Sequence, residues 1–128
     1  ESMHENEISE IIIGAAIEVH RILGPGLLEG VYEESLCREF HLQGIRFERQ
    51  KPVPIEYKGV KLATDLRLDL LVEDKVIVDV KAKEEMNEKD RAKTLTYLRL
   101  TNTRLGLNMN FHEPRLFDGV QRIVNNLE

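Results

Sequence analysis

Apolar residues recur every three or four positions through the first third of the chain, which is the spacing of one helix face. In NEISEIIIGAAIEVHRIL this pattern predicts a first helix, and the turn Gly24–Gly26 ends it because two glycines flank a proline there. In LLEGVYEESLCREFHLQG it predicts a second helix, which Gly44 closes. The apolar positions of the two helices are Ile8, Ile12, Ala15, Ala16, Val19, Ile22, Leu28, Val31, Tyr32, Leu36 and Phe40.

After Gly44 the apolar period changes from about four to two, which predicts strands. Four strands are predicted in IRFERQ, VPIEYK, KLATDLRLDLLV and KVIVDVKA, with turns around Lys51-Pro52, Gly59 and Glu73–Lys75. The segment MNEKDRAKTLTYLRLT returns to a helical pattern, RLGLNMNF predicts a last strand, and FDGVQRIVNNL predicts a short C-terminal helix. This order predicts a single α+β domain over residues 1–128.

Charge is unevenly distributed along the chain, whose net charge is −5. Residues 1–39 hold nine acidic and two basic residues, a net of −7, whereas residues 40–128 carry a net of +2. An acidic protein is a poor non-specific binder of nucleic acid. A local basic surface formed by residues 40–128 is the remaining alternative. No apolar run approaches the roughly 20 residues of a membrane span, so we expect no membrane partner.

The chain has one cysteine, Cys37, which cannot form an internal disulfide. This suits a reducing compartment, so we expect a cytoplasmic protein. Glu1 and Ser2 precede Met3, and we expect them to be the remnant of an expression tag.

The strands in DLRLDLLV and VIVDVKA are predicted to form a hairpin around Glu73–Lys75. With a three-residue loop, the register of this hairpin sets Asp69 opposite Asp79 on one face of the sheet. The side chain of Lys81 leaves its strand on that face too. On the other face a three-residue loop gives three buried apolar pairs. These pairs are Leu68 with Val80, Leu70 with Val78, and Val72 with Val76.

Two carboxylates directly opposite each other repel, and a divalent cation between them reverses that sign. Oxygen ligands suit Mg²⁺ or Mn²⁺, so Asp69 and Asp79 predict a metal site. The ammonium of Lys81 beside it could orient a nucleophile or stabilise developing negative charge. The alternative is a solvated sheet face tied by cross-strand ion pairs, made of Asp65, Arg67, Asp69, Asp79, Lys81 and Lys83.

Asp69, nine intervening residues and Asp79-Val80-Lys81 resemble the D…(D/E)xK signature of the PD-(D/E)XK nuclease superfamily. Upstream, GLLEGVY at Gly26–Tyr32 matches the GxxExxY pattern that names a family of small bacterial and archaeal proteins assigned to that superfamily. The segments VHRILGPGLLEGVYEESL, ERQKPVPIEYKGVKL, DLLVEDKVIVDVKA and YLRLT resemble the same family in the same order. The resemblance covers nearly the whole chain after Met3.

The resemblance implies a restriction-endonuclease-like α/β core: a mixed central sheet flanked by helices, one of them a crossover helix. It assigns metal binding to Asp69 and Asp79, the catalytic lysine to Lys81, and a helix carboxylate that completes the site to Glu29. Glu29 is equally readable as a first-turn acid that the helix dipole stabilises. The resemblance also implies Mg²⁺ or Mn²⁺ as cofactor, nucleic acid as partner and a homodimer as an expected assembly. One departure is Asp79, since the family commonly has glutamate there.

Accessory residues also carry two interpretations each. Related nucleases often have Q-x-x-x-Y on the helix after the site strand; here Tyr97 is present, but Lys93 replaces the glutamine and cannot accept a hydrogen bond. Tyr32 is either an aromatic at the edge of the core or a catalytic phenol. His20 either packs the end of its helix or joins the site, and Glu33 is predicted to face solvent.

Three functions remain open at this point. The first is a metal-dependent phosphodiesterase acting on DNA or RNA, which Asp69, Asp79 and Lys81 favour. The second is a non-catalytic module that keeps the nuclease fold and binds a protein or nucleic acid, which the acidic balance and small size favour. The third is a scaffold without a site, because a fold alone does not imply an activity.

Overall fold

Three helices form as the apolar spacing predicts, in a computed structural model that describes residues 3–128. They are α1 (Glu5–Leu23), α2 (Glu29–Gln43) and α3 (Glu88–Thr101). Gly24 and Gly44 follow α1 and α2 with φ of 73° and 69°, a left-handed backbone that glycine adopts without steric cost. The tag expected at the first two positions lies outside the described residues.

Within residues 3–128, seven strands form two sheets. The main sheet has the order β1-β4-β5-β6-β7, and β2 and β3 form a separate two-stranded hairpin. Among these seven strands, β5 and β6 are the one parallel pair, and α3 is the crossover between them. The mixed sheet expected of the core is therefore present. The strands are β1 (Phe47–Val53), β2 (Glu56–Tyr57), β3 (Val60–Lys61), β4 (Leu66–Val72), β5 (Val76–Lys81), β6 (Leu105–Asn110) and β7 (Val120–Val124).

Helices cover both faces of the main sheet. The larger buried cluster joins α1 and α2 to one face of β4, β5 and β6. A smaller cluster joins Leu98 of α3 to Leu68, Ile77 and Ile123 on the other face. Three helices around a mixed five-stranded sheet are the α+β, restriction-endonuclease-like architecture that the sequence predicts. None of the helices within residues 3–128 is long and apolar enough to cross a bilayer.

The predicted register of the β4–β5 hairpin is confirmed at two of its three apolar pairs. Leu70 lies opposite Val78 and Val72 lies opposite Val76. The prediction that Leu68 shares their buried face is wrong, because Leu68 packs in the cluster on the α3 side. The side chains of Leu70 and Leu68 therefore lie on opposite faces of the sheet, and the change of face occurs at Asp69.

Other predictions about the elements are also wrong. The strand predicted in KLATDLRLDLLV is interrupted, because β3 ends at Lys61 and β4 begins at Leu66. β1 continues through the expected turn at Lys51-Pro52 to Val53, which an edge strand permits because its outer N–H positions need no partner. The predicted C-terminal helix is a short 3₁₀ turn, Leu116–Gly119, followed by β7. β-branched residues suit a strand, and β7 pairs antiparallel with the open edge of β6.

Candidate active site

Asp79 and Lys81 leave β5 on the face that α3 covers. The three valines of β5 pack into the core under α1 and α2, whereas Ile77 packs toward α3. Because successive side chains of a strand point to opposite faces, Asp79 and Lys81 share the face of Ile77. Both side chains are only 16% exposed. At these two residues, the solvated sheet face of the alternative interpretation is therefore wrong.

Asp69 reaches the same place from β4. The β1–β4 ladder pairs the residues on either side of Asp69 but leaves Asp69 itself without a backbone partner in β1. Its Oδ2 accepts a hydrogen bond of 2.9 Å from the backbone N–H of Val80. A side chain therefore joins β4 to β5 just beyond the last paired residues of their backbone ladder. The structure brings the Asp69 and Asp79 carboxyls together across the hairpin.

The electrostatic state of Asp79 is unusual for an aspartate. The pKa of Asp79 is raised to about 6, chiefly by burial and further by a hydrogen bond with Asp69 and by the negative charge of Asp69. The positive charges of Lys81 and Lys93 act in the opposite direction without cancelling it. The pair of aspartates thus carries negative charge that the neighbouring lysines do not fully balance.

Lys81 lies between two carboxylates. Its Nζ is 3.5 Å from Asp79 Oδ2 and 4.0 Å from Asp90 Oδ1. Burial alone would lower the pKa of Lys81, but the charges of Asp79, Asp90 and Glu29 outweigh burial and raise it. Lys81 is therefore a fixed positive charge at neutral pH.

Glu29 contributes to the site through its charge. It is the first residue of α2, and the charges of Lys81, Asp79 and Lys93 all act on its carboxyl. Burial raises the pKa of Glu29, and Lys81 opposes that rise. Both interpretations of Glu29 stay open, because it lies at a helix N-terminus and also within the field of the site.

Glu33, one turn further along α2, does not face solvent as the sequence analysis predicts. Its side chain is 8% exposed, and its Oε2 accepts a 2.6 Å hydrogen bond from the Nε of Arg49. Its Oε1 accepts a 2.9 Å bond from the Nε2 of Gln50. Glu33 therefore lies against β1, where Arg49 and Gln50 are its partners.

A cavity of about 20 Å³ opens beside the two aspartates. That volume holds about one water-sized particle. Lys93 and Tyr97 of α3 line it together with Asp69 and Asp79, and the Lys93 ammonium lies 5.4 Å from the centre of the Tyr97 ring. Both accessory residues predicted on α3 therefore adjoin the carboxylates. A larger cavity of about 610 Å³ lies elsewhere and contains none of the predicted site residues.

Tyr32 and His20 have other partners. The Tyr32 ring is fully buried and stacks on Phe111 with 4.5 Å between ring centroids. Its hydroxyl donates to Gly24 O at 2.6 Å and accepts from Leu27 N at 3.0 Å, so it holds the turn between α1 and α2. A ring nitrogen of His20 lies 2.8 Å from the backbone oxygen of Glu113. These contacts match the packing interpretation of each residue.

Two neighbours of the site, Asp90 and Gln50, were missed by the sequence analysis. Asp90 binds Lys83 at 2.6 Å and approaches Lys81, and Gln50 Nε2 lies 3.4 Å from Asp69 Oδ1. The N-x-x-D spacing from Asn87 to Asp90 is a capping box that the sequence could have revealed. Gln50 carries no comparable signal, because its contacts depend on how β1 meets α2 and β4.

The donor set at the two aspartates fits a hard divalent cation. Two carboxylates from neighbouring strands, with incompletely balanced charge and a small adjoining cavity, are oxygen ligands of the kind that Mg²⁺ and Mn²⁺ prefer. Within residues 3–128, no three His, Cys, Asp or Glu side chains are grouped closely enough to hold a metal ion by themselves. Mg²⁺ commonly keeps several waters and one or two carboxylates, so two aspartates suffice as the protein's share.

Comparison with known proteins identifies the superfamily of the chain. The family model of the PD-(D/E)XK nuclease superfamily matches residues 6–123. No curated protein and no solved structure matches the chain. The family match spans both N-terminal helices, both site strands, α3 and most of β7, so the chain belongs to the PD-(D/E)XK nuclease superfamily.

Proposed function

We propose that the protein is a nuclease that hydrolyses phosphodiester bonds in DNA or RNA with the help of Mg²⁺ or Mn²⁺. The observation that carries this proposal is the juxtaposition of Asp69 and Asp79 beside Lys81, whose ammonium lies 3.5 Å from Asp79. Within the superfamily, Gly26, Glu29 and Tyr32 support the narrower assignment to the GxxExxY family.

Asp69 and Asp79 would hold the cation, which would supply Lewis acidity and charge neutralisation at the phosphate. Asp69 is oriented for this by the Val80 N–H, which occupies one lone pair of Oδ2. Asp79 must be ionised to contribute, and a bound cation favours its ionised form.

Lys81 would stabilise the negative charge that develops on the phosphate oxygens in the transition state. Its raised pKa keeps it protonated, and Asp79 and Asp90 hold its Nζ from two sides. A charge already oriented in a partly dry site needs little reorganisation during the reaction. Lys93, which lines the cavity beside Asp69, would contact a substrate phosphate from α3.

The test is a cleavage assay on labelled single-stranded DNA, duplex DNA and RNA, with EDTA, Mg²⁺ or Mn²⁺. We expect cleavage only with metal, and a loss of roughly 100-fold or more in Asp79→Ala. Asp65→Ala is the matched control, because Asp65 is exposed and lies just before β4. Absence of cleavage on all three substrates, or equal cleavage by Asp79→Ala, would contradict the proposal.

The second candidate is a binding module that keeps the nuclease fold. It is favoured by exposed apolar side chains at the turn between α1 and α2, where Ile22 is 63%, Leu27 41% and Leu28 80% exposed. Apolar residues grouped at a surface often mark a contact with a partner. Metal binding without cleavage of any of the three substrates would favour this candidate.

A further inference from the structure

The contact between β1 and β4 is interrupted at one position, beside the candidate metal site. Backbone pairing on either side keeps the same register, but Gln50 and Asp69 are not paired with each other. Gln50 has φ of 52°, in the left-handed region that residues other than glycine, asparagine and aspartate rarely adopt. A glutamine held there needs interactions that fix it, and its side chain makes them.

The Gln50 side-chain amide joins a buried anchor to a site carboxylate. Its Nε2 donates to Glu33 Oε1 at 2.9 Å and lies 3.4 Å from Asp69 Oδ1. Glu33 is itself fixed, because its other oxygen accepts a 2.6 Å bond from Arg49 and its side chain is 8% exposed. One amide group therefore connects a buried, hydrogen-bonded carboxylate to Asp69.

Through this contact both oxygens of Asp69 have a donor. Oδ2 receives the Val80 N–H at 2.9 Å, and Oδ1 faces the Gln50 amide. Each carboxylate oxygen retains further lone-pair capacity for a cation. The amide is neutral, so it orients Asp69 without supplying a positive charge that would compete with a metal.

We propose that Gln50 is a positioning residue of the metal site, which sets the orientation of Asp69 through the Glu33 anchor. This inference rests on the proposed function, because it concerns the same cation. Residues that hydrogen-bond to metal ligands orient those ligands, and their loss typically weakens metal binding by about 10- to 100-fold. A purely structural Gln50 would affect the melting temperature but not the affinity for metal.

The test compares Mn²⁺ affinity, measured by titration calorimetry, in the unaltered protein and two variants. Gln50→Leu removes the amide. Gln50→Asn keeps an amide and tolerates positive φ, but it is one methylene too short to span Glu33 and Asp69. Lys51→Leu is the control, because Lys51 is the next residue of β1 and its ion pair is with Glu48 at 2.7 Å.

We expect both Gln50 variants to raise the Kd for Mn²⁺ by about tenfold or more, and Lys51→Leu to change it less than about twofold. The Gln50→Asn variant should also shift the Val80 amide resonance in a ¹H–¹⁵N spectrum without metal, because its acceptor on Asp69 moves. If Gln50→Leu does not fold, the asparagine variant decides the question alone.

Mn²⁺ affinity in Gln50→Asn within about twofold of the unaltered protein would overturn the positioning role and leave the proposed function standing. Absence of Mn²⁺ binding by the unaltered protein would overturn the metal site and this inference with it. The two failures are therefore distinguishable in one set of titrations.

Discussion

Asp79 and Asp90 are two largely buried carboxylates that flank the same lysine, yet their surroundings differ. Asp79 lies 3.5 Å from Lys81, and burial with the nearby Asp69 raises its pKa to about 6. Asp90 lies 4.0 Å from Lys81 but also 2.6 Å from Lys83, and it accepts the Asn87 N–H at 2.8 Å. Burial alone would raise the pKa of Asp90, but the bonds from Lys83 and Asn87 outweigh burial and lower it.

The difference separates a carboxylate that has structural partners from the one that we propose binds metal. Asp90 has partners for its charge and caps the start of α3. Asp79 faces another carboxylate, and the charges of Lys81 and Lys93 do not offset the effects that raise its pKa. The same contrast recurs on α2, where Glu33 is bound by Arg49 and Gln50 while the pKa of Glu29 is raised, chiefly by burial. Perturbed carboxylates without sufficient partners are the ones that mark a candidate site.

The largest expected effect is a difference in cleavage rate between variants of Lys81 and Lys83, the two lysines near Asp90. Lys81→Met should lower the cleavage rate by about 100- to 1000-fold, because it removes the charge aimed at the transition state. Lys83→Met should change the rate less than about tenfold, because Lys83 neutralises Asp90 and does not adjoin Asp79. Cleavage rates measured at saturating metal provide the comparison. Equal losses in both variants would remove the distinction between the two carboxylates.

The next effect concerns stability without metal. Asp79→Asn should raise the free energy of unfolding by up to about 2 kcal/mol at about pH 8, because it removes a carboxylate whose ionisation the fold disfavours. Because the folded pKa is above the unfolded value of about 3.9, the penalty is absent below about pH 4 and complete above about pH 6. The gain should therefore vanish as the pH falls through that window. Urea unfolding at several pH values in EDTA checks this.

Asp65→Asn is the matched control for that series, since Asp65 is exposed. The free energy of unfolding of Asp65→Asn should differ from that of the unaltered protein by the same amount at every pH in this range. A lower stability of Asp79→Asn at every pH would show instead that the ion pair with Lys81 dominates.

A smaller effect of the opposite sign is expected at the other carboxylate. Asp90→Asn should lower the free energy of unfolding by about 1–2 kcal/mol at neutral pH, because it weakens the bonds to Lys83 and to the Asn87 N–H. The same unfolding experiments measure it. A stabilising effect would mean that Asp90, like Asp79, lacks sufficient partners, and the comparison would fail.

The hairpin that carries Asp69 and Asp79 could be predicted from the sequence because strand alternation and a three-residue turn leave one register that buries the valines of β5. The face of the sheet on which Leu68 lies could not be predicted, because the interruption of pairing at Gln50 and Asp69 depends on contacts between β1, β4 and α2. Sequence periodicity reports local geometry and contains no information on such distant contacts.

The same limit explains the other differences. Glu33 was predicted to face solvent because nothing near it in sequence indicates that Arg49 and Gln50 fold against it. The C-terminal segment was predicted as a helix because the free edge of β6, which β7 occupies, exists only in the folded sheet. The candidate catalytic residues were accessible early because their spacing resembles a known family, whereas their supporting residues were not.

The most direct test of the central claim is whether a divalent cation stabilises the folded protein through Asp79. The experiment is a thermal melt of the unaltered protein and of Asp79→Asn at about pH 8, in EDTA and across Mg²⁺ and Mn²⁺ titrations at fixed ionic strength. With free metal at about ten times its Kd, the unaltered protein should gain roughly 1.4 kcal/mol, a rise of several degrees in Tm, and Asp79→Asn should lose most of that gain. Melts of the unaltered protein that superimpose up to about 10 mM of either metal would contradict the account.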